Sequence, residues 1–362
     1  MKKRRRGTAR RMSELPRGDA VSGAAGPEST PVVPEVSIFA YTDDALEEKK
    51  ETALEGINAY RDFPGTVWIN VNGLGSPAAI ERICMLYGVH PLIIEDILST
   101  NQRPKFEDFD AYLSIVLKMF YLSDGGDEVI TEQVSIVVGK GYVLSFQEKP
   151  ARDVFEPIRA ALRAKKKKLR KYGADYLAYS LVDAVVDHYY VILERLSERL
   201  EALEDEVLDT PSKSTLQRLH ELRNEIIFLR RSVWPLREVL DKLGHQDDEL
   251  IQPTTLVYLR DVYDHTVQIM EQIEVHRDIV TGLLEMYLSS VSYKLNEVLK
   301  RLTIITTIFM PLSVIAGIGG MSEWTMMTGG AGNWHLAYPL FCLGLAAIGV
   351  LTYVFFKIKK WA

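Results

Sequence analysis

Cysteine is nearly absent. Cys84 and Cys342 are the only two in the chain of 362 residues, which rules out a disulfide framework and fits a soluble part kept in a reducing compartment. Also missing are a phosphate-cradling glycine loop, a Cys/His zinc spacing and a Gly-x-Ser-x-Gly elbow. Nothing therefore signals an enzyme, and no organic cofactor is expected. Excess positive charge is lacking too, since 43 Lys and Arg face 49 Asp and Glu for a net charge of -6. This balance argues against nucleic acid as the main partner. The basic start, Lys2, Lys3, Arg4, Arg5, Arg6, Arg10 and Arg11, is followed by a Gly/Ala/Pro/Ser-rich stretch and no apolar h-region. No cleaved targeting peptide is expected, and residues 1–35 read as a disordered basic tail with anionic lipid as an alternative contact.

Two further absences are local. From Thr255 to Met310 there is no proline and only one glycine, Gly282, while helical periodicity continues. One very long helix is expected; continued to Met321 it would span about 100 Å at 1.5 Å per residue, far more than a bilayer. Charge is missing from Leu302 to Met321 and again from Leu336 to Phe356. Each run matches the roughly 20 residues needed to cross a hydrocarbon core. The short stretch between them, residues 322–335, makes the pair a hairpin. Lys300 and Arg301 precede the first run, and Lys357, Lys359 and Lys360 follow the second, so the positive-inside bias sets both termini in the cytoplasm.

Upstream the composition is that of a charged soluble protein. Strands are expected at Thr66 to Val71, Ala111 to Leu122, Gln133 to Val138 and Tyr142 to Phe146, the last two joined through Gly139-Lys140-Gly141 as a hairpin. Short helices fit Pro77 to Tyr87 and Pro91 to Leu98. The class is α+β, with an α/β layered domain over 36–160. Residues 161–254 read as antiparallel long helices. In the first, Leu193, Leu196, Leu200, Leu203 and Val207 recur at helical spacing; the second runs through Leu216, Leu219, Leu222, Ile226 and Leu229. Asp209-Thr210-Pro211-Ser212 separates the two, Trp234-Pro235 is expected to perturb the far end of the second, and Gly244 to close it. The basic run Lys165 to Lys168 with Arg170 and Lys171 reads as a solvated face, or as a contact for lipid headgroups or a neighbour's acidic helices.

A hairpin offers too few helices to enclose a polar path, so conduction would require several copies. On the long helix Asn296, Leu299, Thr303, Thr306, Met310, Ser313 and Gly317 follow at spacings of three or four and share a face. Thr306 and Ser313 taken alone fit helix packing equally well.

Longer stretches carry a more specific likeness. The runs Tyr287 to Ser290, Asn296 to Val298, Leu302 to Ile305, Ile308 to Leu312 and Ala316 to Ile318 resemble the first membrane helix of CorA magnesium and cobalt transporters. His90-Pro91-Leu92, Glu95 to Leu98, Gln102 to Lys105, Arg260 to Thr266 and the ending Lys357 to Trp361 resemble other segments of that family. The resemblance covers nearly everything from about residue 36 onward. It implies a funnel-shaped homo-oligomer of five subunits in the cell (inner) membrane, made of the cytoplasmic α/β domain, a stalk helix over 255–321 that becomes the first membrane span at 302–321, a second span at 336–356 and a basic cytoplasmic end at 357–362. Its partners would be lipid and divalent cations.

The implied activity is potential-driven influx of Mg2+, with Co2+ as a second ion. The resemblance lines the pore with Asn296, Leu299, Leu302, Thr306, Met310, Ser313 and Gly317, with Leu299, Leu302 and Met310 as apolar constrictions. It also implies that cytoplasmic Mg2+ closes the gate from between subunits, through Asp96 and Asp261 supported by Glu95 and Asp183. At the outer mouth the family's Gly-Met-Asn becomes Gly320-Met321-Ser322, followed by Glu323, and the usual preceding aromatic is Gly319. A serine hydroxyl still accepts hydrogen bonds from a hydrated ion but is shorter than an asparagine amide. A Zn2+ carrier of the same fold and a non-conducting membrane-anchored scaffold are the alternative readings.

Overall fold

The computed structural model describes residues 34–51, 54–123, 129–149, 153–245, 249–320 and 331–359. In chain order the strands are β1 (Glu35–Tyr41), β2 (Leu46–Glu51), β3 (Thr66–Asn72), β4 (Lys105–Asp108), β5 (Tyr112–Leu122), β6 (Val129–Gly139) and β7 (Tyr142–Gln147). The helices are α1 (Leu54–Asn58), α2 (Pro77–Leu86), α3 (Pro91–Leu98), α4 (Glu156–Arg163), α5 (Lys167–Lys171), α6 (Ala174–Asp209), α7 (Lys213–Gly244), α8 (Pro253–Gly319) and α9 (Trp334–Ile358). They form two compact units; the second takes residues 103–107, 115–131 and everything from Tyr179 onward.

In the first unit the strands lie in the order β2-β1-β3-β7-β6, with β3 and β7 parallel and the other neighbours antiparallel. Period-2 alternation sends Val36, Ile38 and Ala40, Val67, Ile69 and Val71, and Leu144 and Phe146 to one face. There they meet Ile57, Ile80, Ile83, Ile93, Ile94 and Ile97 from α1, α2 and α3 in one buried cluster, each side chain contributing roughly 1.5–3 kcal/mol. Cys84 lies within this cluster, and burial pushes its thiol up to about 12, which makes it unreactive.

The other face is built around Trp68. Phe39 stacks on it at 5.0 Å, Phe155 meets it edge-on at 6.1 Å and the Arg159 guanidinium lies 5.7 Å from its ring. Its Nε1–H donates to Ser145 Oγ at 2.8 Å, and Ser145 donates in turn to Asn70 Oδ1 at 2.6 Å. Arg159 is also paired with Asp153. These contacts fix α4 on this face. The hairpin between β6 and β7 requires φ +82° at Gly141, a conformation glycine adopts without strain.

From Tyr179 onward the described residues of the second unit are helical. Leu193, Leu196, Leu200, Leu203 and Val207 are all buried along α6, as are Leu219, Leu222, Ile226 and Leu229 along α7. Arg199 is bidentate to Glu225 between α6 and α7, and Arg230 pairs with Glu274 between α7 and α8. On α8 the buried positions run from Thr255 to Tyr287 and stop there. α7 opens with a reciprocal capping box, in which Ser212 Oγ accepts from Thr215 N–H at 3.2 Å and Thr215 Oγ1 accepts from Ser212 N–H at 3.1 Å.

Some elements differ from the sequence expectation. β6 begins at Val129 rather than 133, α8 begins at Pro253, and the boundary drawn at residue 160 falls inside α4. Pro235 lies inside α7, which runs to Gly244 as expected. The ring removes one intrahelical donor, while buried Leu236, Val239, Leu240 and Leu243 hold the following turns.

Because Ser212 satisfies an otherwise orphaned helix donor, Ser212→Ala is expected to cost about 1 kcal/mol. In thermal unfolding of the full chain this appears as a Tm lower by about 1–2 °C.

Candidate functional site

Two adjacent turns of α6 and one of α8 converge on a small acidic site. Asp183, Asp187 and His265 each present a ligand atom, and the three lie within 4.8 Å of one another. Tyr179 donates a hydrogen bond to Asp183 Oδ2 at 3.2 Å. Burial, and then the neighbouring Asp187 charge, push the Asp183 carboxyl up to about 6; the Tyr179 bond and His265 oppose the shift, and Asp261 adds to it. His265 Nε2 lies 4.0 Å from Asp261 Oδ2, one turn earlier on α8. Its Nδ1 is buried and finds no hydrogen-bond partner among the described residues. Tyr190 braces this turn by donating to Gln268 Oε1 at 3.2 Å.

The donor set is two carboxylates and one imidazole, with Asp261 beside them. Crowded carboxylates with an orphaned imidazole nitrogen suit a divalent cation, which would offset both the burial and the repulsion that raise Asp183. Asp183 and Asp261, two of the four acids implied by resemblance, thus meet around His265. Sequence reasoning passed over Asp187 and gave His265 no role. Their signal was present, since Asp183/Asp187 and Asp261/His265 are both i, i+4 pairs on helices. Glu95 and Asp96 lie on α3 of the first unit. His90 caps that helix, its Nδ1 accepting from Leu92 N–H at 3.2 Å. Glu95 lines an open cavity of about 490 Å3 with Glu81, Met85, Ile94 and Leu98, while the Asp96 carbonyl accepts from Gln133 Nε2 at 2.9 Å.

The other candidate site is the far half of α8. Here Ile304, Ile308, Leu312, Ile315 and Gly319 are the half-buried positions, and they form a seam against α9. The matching positions of α9 are Ala337, Phe341, Leu345, Gly349, Thr352 and Phe356. Leu312 meets Gly349 and Gly319 meets Phe341, so the two helices run antiparallel. Asn296, Leu299, Leu302, Thr303, Thr306, Met310, Ser313 and Gly317 are all exposed on the same continuous helix. At about 100° per residue they occupy an arc roughly 120° wide, centred about 180° from the α9 seam. The sequence-predicted stripe is therefore the side of α8 that α9 leaves open.

Polar groups on and beside that stripe are preset. Thr303 Oγ1 donates to the Leu299 carbonyl at 2.8 Å, Thr306 Oγ1 to the Leu302 carbonyl at 2.8 Å, and Thr307 Oγ1 to the Thr303 carbonyl at 2.7 Å. With the hydroxyl hydrogens committed to the helix, the oxygens are left as acceptors, the role needed to bind the waters of a hydrated cation. Gly320 ends α8, while Met321, Ser322 and Glu323 lie outside the described residues.

Both α8 and α9 contain a window long and apolar enough to cross a membrane, and neither window is buried by the rest of the chain. A family model described as CorA-like Mg2+ transporter protein matches residues 64–360. The chain belongs to that family. It is thus a CorA-like membrane transporter rather than an enzyme. Among relatives, it is 46% identical to the cobalt/magnesium transport protein CorA of Thermotoga maritima, over 90% of this chain and 92% of that one. It is 30% identical to the putative metal ion transporter YfjQ of Bacillus subtilis, over 82% and 91% of the two chains. The solved CorA magnesium transporter from Methanocaldococcus jannaschii shares the fold, with a TM-score of 0.74 at 18% identity, covering 92% of this chain and all of that one.

The raised Asp183 carboxyl has a defined stability consequence. Its folded value lies above the ordinary 3.8, so the folded state holds the proton more tightly and the cost of ionising it is present above about pH 6 and relieved below about pH 4. Asp183→Asn is therefore expected to raise stability at pH 8, in the absence of divalent ions, by about 1–2 kcal/mol after allowance for solvent screening. At pH 4 it should change nothing, and thermal unfolding at the two pH values checks this.

Proposed function

We propose that several copies of this chain, five by family resemblance, surround a pore that passes Mg2+, and Co2+ as a second ion, down the membrane potential. The observation that carries this reading is the open stripe of α8, opposite its α9 seam. In a ring of identical subunits with α9 outside, each position of the stripe becomes a ring of groups facing the axis. Mg2+ dehydrates reluctantly and demands octahedral oxygen geometry. Neutral oxygens at Asn296, Thr306 and Ser313 can hold its waters without stripping them, and the stripe has no carboxylate within the span to trap the ion. Leu299, Leu302 and Met310 would form apolar constrictions that close by dewetting. The driving force is about 2.3 kcal/mol per charge per 100 mV, roughly doubled for a divalent ion.

Orientation follows from charge. Lys300 and Arg301 on α8, Lys357 on α9 and Lys359 just past its end cap the same end of the antiparallel pair, which supports both termini in the cytoplasm. Regulation would use the acids: cytoplasmic Mg2+ held by Asp96 and Asp261, with Glu95 and Asp183 in support, would favour the closed state. The convergence of Asp183, Asp187 and His265 beside Asp261 adds two residues to that set. The outer mouth would be Gly320, Met321, Ser322 and Glu323, the last concentrating cations by its charge. The Zn2+ reading finds little support, since no His or Cys occurs along the stripe.

Uptake into proteoliposomes under an inside-negative potential tests the proposal. Wild type is expected to take up Mg2+ and to be inhibited by Mg2+ on the cytoplasmic face. Asn296→Ala and Ser322→Ala should each reduce discrimination between Mg2+ and Co2+ by about fivefold, the equivalent of one neutral hydrogen bond. Absence of Mg2+ flux in wild type, with Zn2+ carried in the same vesicles, would reverse the ion assignment; silence with both would leave a scaffold.

A further inference from the structure

Among the described residues, the three atoms nearest a Cβ built on Gly319, the last residue of α8, all belong to Phe341. A Cβ placed on Gly319 would lie 2.8 and 3.1 Å from Cε1 and Cε2 of Phe341 on α9, with Cζ nearer still. The tip of the ring therefore fills the volume that any side chain at 319 would need. The rest of the seam is less demanding. A Cβ on Gly349 would meet Leu312 Cδ1 at 3.4 Å, an ordinary contact. On α8 itself, a Cβ on Gly317 would meet nothing within 4 Å. At Gly319 and Phe341, by contrast, the hairpin has a notch and a knob that fit only together.

The position of this contact gives it a consequence for the stripe. Gly319 is on the α9 side, two residues past Gly317 on the open side. A phenyl ring is a rigid plate with two side-chain torsions, so seating it in a backbone notch fixes both the height and the rotation of the last turn of α8. A slip by one residue would move that turn by about 1.5 Å and 100°. It would carry Ser313 and Gly317 off the open stripe and bring Val314 and Ile318 onto it, exchanging a hydroxyl and bare backbone for branched apolar groups. Gly320, whose N–H bonds to the Ala316 and Gly317 carbonyls at 3.0 and 3.2 Å, caps the same turn and would move with it.

We infer that Phe341 and Gly319 are a positioning pair that indexes the outer end of the conduction stripe, and so governs how Mg2+ is held and discriminated there. The inference rests on the conduction reading. Neither residue touches the ion; both act through Ser313, Gly317 and the cap at Gly320.

The test compares wild type, Gly319→Ala, Phe341→Leu and the double variant as full-length protein in proteoliposomes, measuring Mg2+ and Co2+ uptake. Leucine lacks the Cε and Cζ atoms that a Cβ at 319 would meet. Gly319→Ala is expected to raise the half-saturating Mg2+ concentration, and to lower the Mg2+ to Co2+ flux ratio, by about tenfold, the range of overpacking effects. Phe341→Leu alone should have a smaller effect, and Gly319→Ala combined with Phe341→Leu should recover most of what Gly319→Ala loses. If Gly319→Ala alone does not assemble, the double variant is expected to restore assembly. A role in folding only would change maximal flux and leave half-saturation and ion ratio as in wild type. That outcome overturns the inference, as does a Gly319→Ala variant indistinguishable from wild type or a double variant no better than Gly319→Ala. A wild type without Mg2+ flux contradicts the conduction reading and this inference with it; wild-type flux with unaffected variants overturns the positioning pair alone.

Discussion

Everything distinctive about this chain depends on apolar surface that it does not bury itself. On α8 burial ends at Tyr287, and beyond it Leu299, Leu302, Ile305, Phe309, Met310, Val314 and Ile318 are exposed. On α9 Leu336, Leu340, Leu343, Val350, Leu351 and Phe355 are exposed as well. Apolar area on this scale is not left to water by a soluble protein. A bilayer and further copies of the chain are the environments that cover it, and the helix satisfies its own backbone polar groups, the condition for entering hydrocarbon. α9 covers one side of α8, and what remains is divided between lipid and neighbouring copies.

That division explains why one continuous helix serves two solvents. Its first half is held by a narrow buried stripe, with Leu259, Val262, Ile269, Ile273, Val280 and Leu283 packed inside and charges outside. Its second half is apolar nearly all round, and its polar groups on the open side, Asn296, Thr303, Thr306 and Ser313, are all neutral. His265 of the acid cluster lies on the first half of this helix and the open stripe on the second, while Asp183 and Asp187 reach the cluster from α6.

The parts legible in the sequence were those governed by periodicity and by absence. The lack of proline and the single glycine over 255–310 revealed α8, the two uncharged runs revealed the hairpin, and the leucine spacing of α6 revealed a seam that is buried as expected. Spacing alone also put Asn296 to Gly317 on one face. What it could not supply was which face α9 would cover, since that depends on contacts between segments. The same limit hid Phe341, one apolar residue among many until the notch at Gly319 singles it out; the missing aromatic at 319 was a visible departure whose filling from α9 was not. Asp187 and His265 went unweighed because exposed acids on helices are common, and only the approach of α6 to α8 makes these converge. Gly244 ends α7 as its place in the sequence suggests, and tertiary packing outweighs the one helix donor lost at Pro235.

On the proposed function the open side of α8 faces the permeation path while the opposite side packs on α9. Single cysteines introduced from residue 303 to 317, in a background with Cys84 and Cys342 changed to Ser, and probed with a water-soluble thiol reagent during Mg2+ uptake, test it most directly. The account predicts labelling and block at Thr303, Thr306, Met310, Ser313 and Gly317, with protection at Ile304, Ile308, Leu312 and Ile315. Labelling of the second set, or a pattern without helical period, would contradict it.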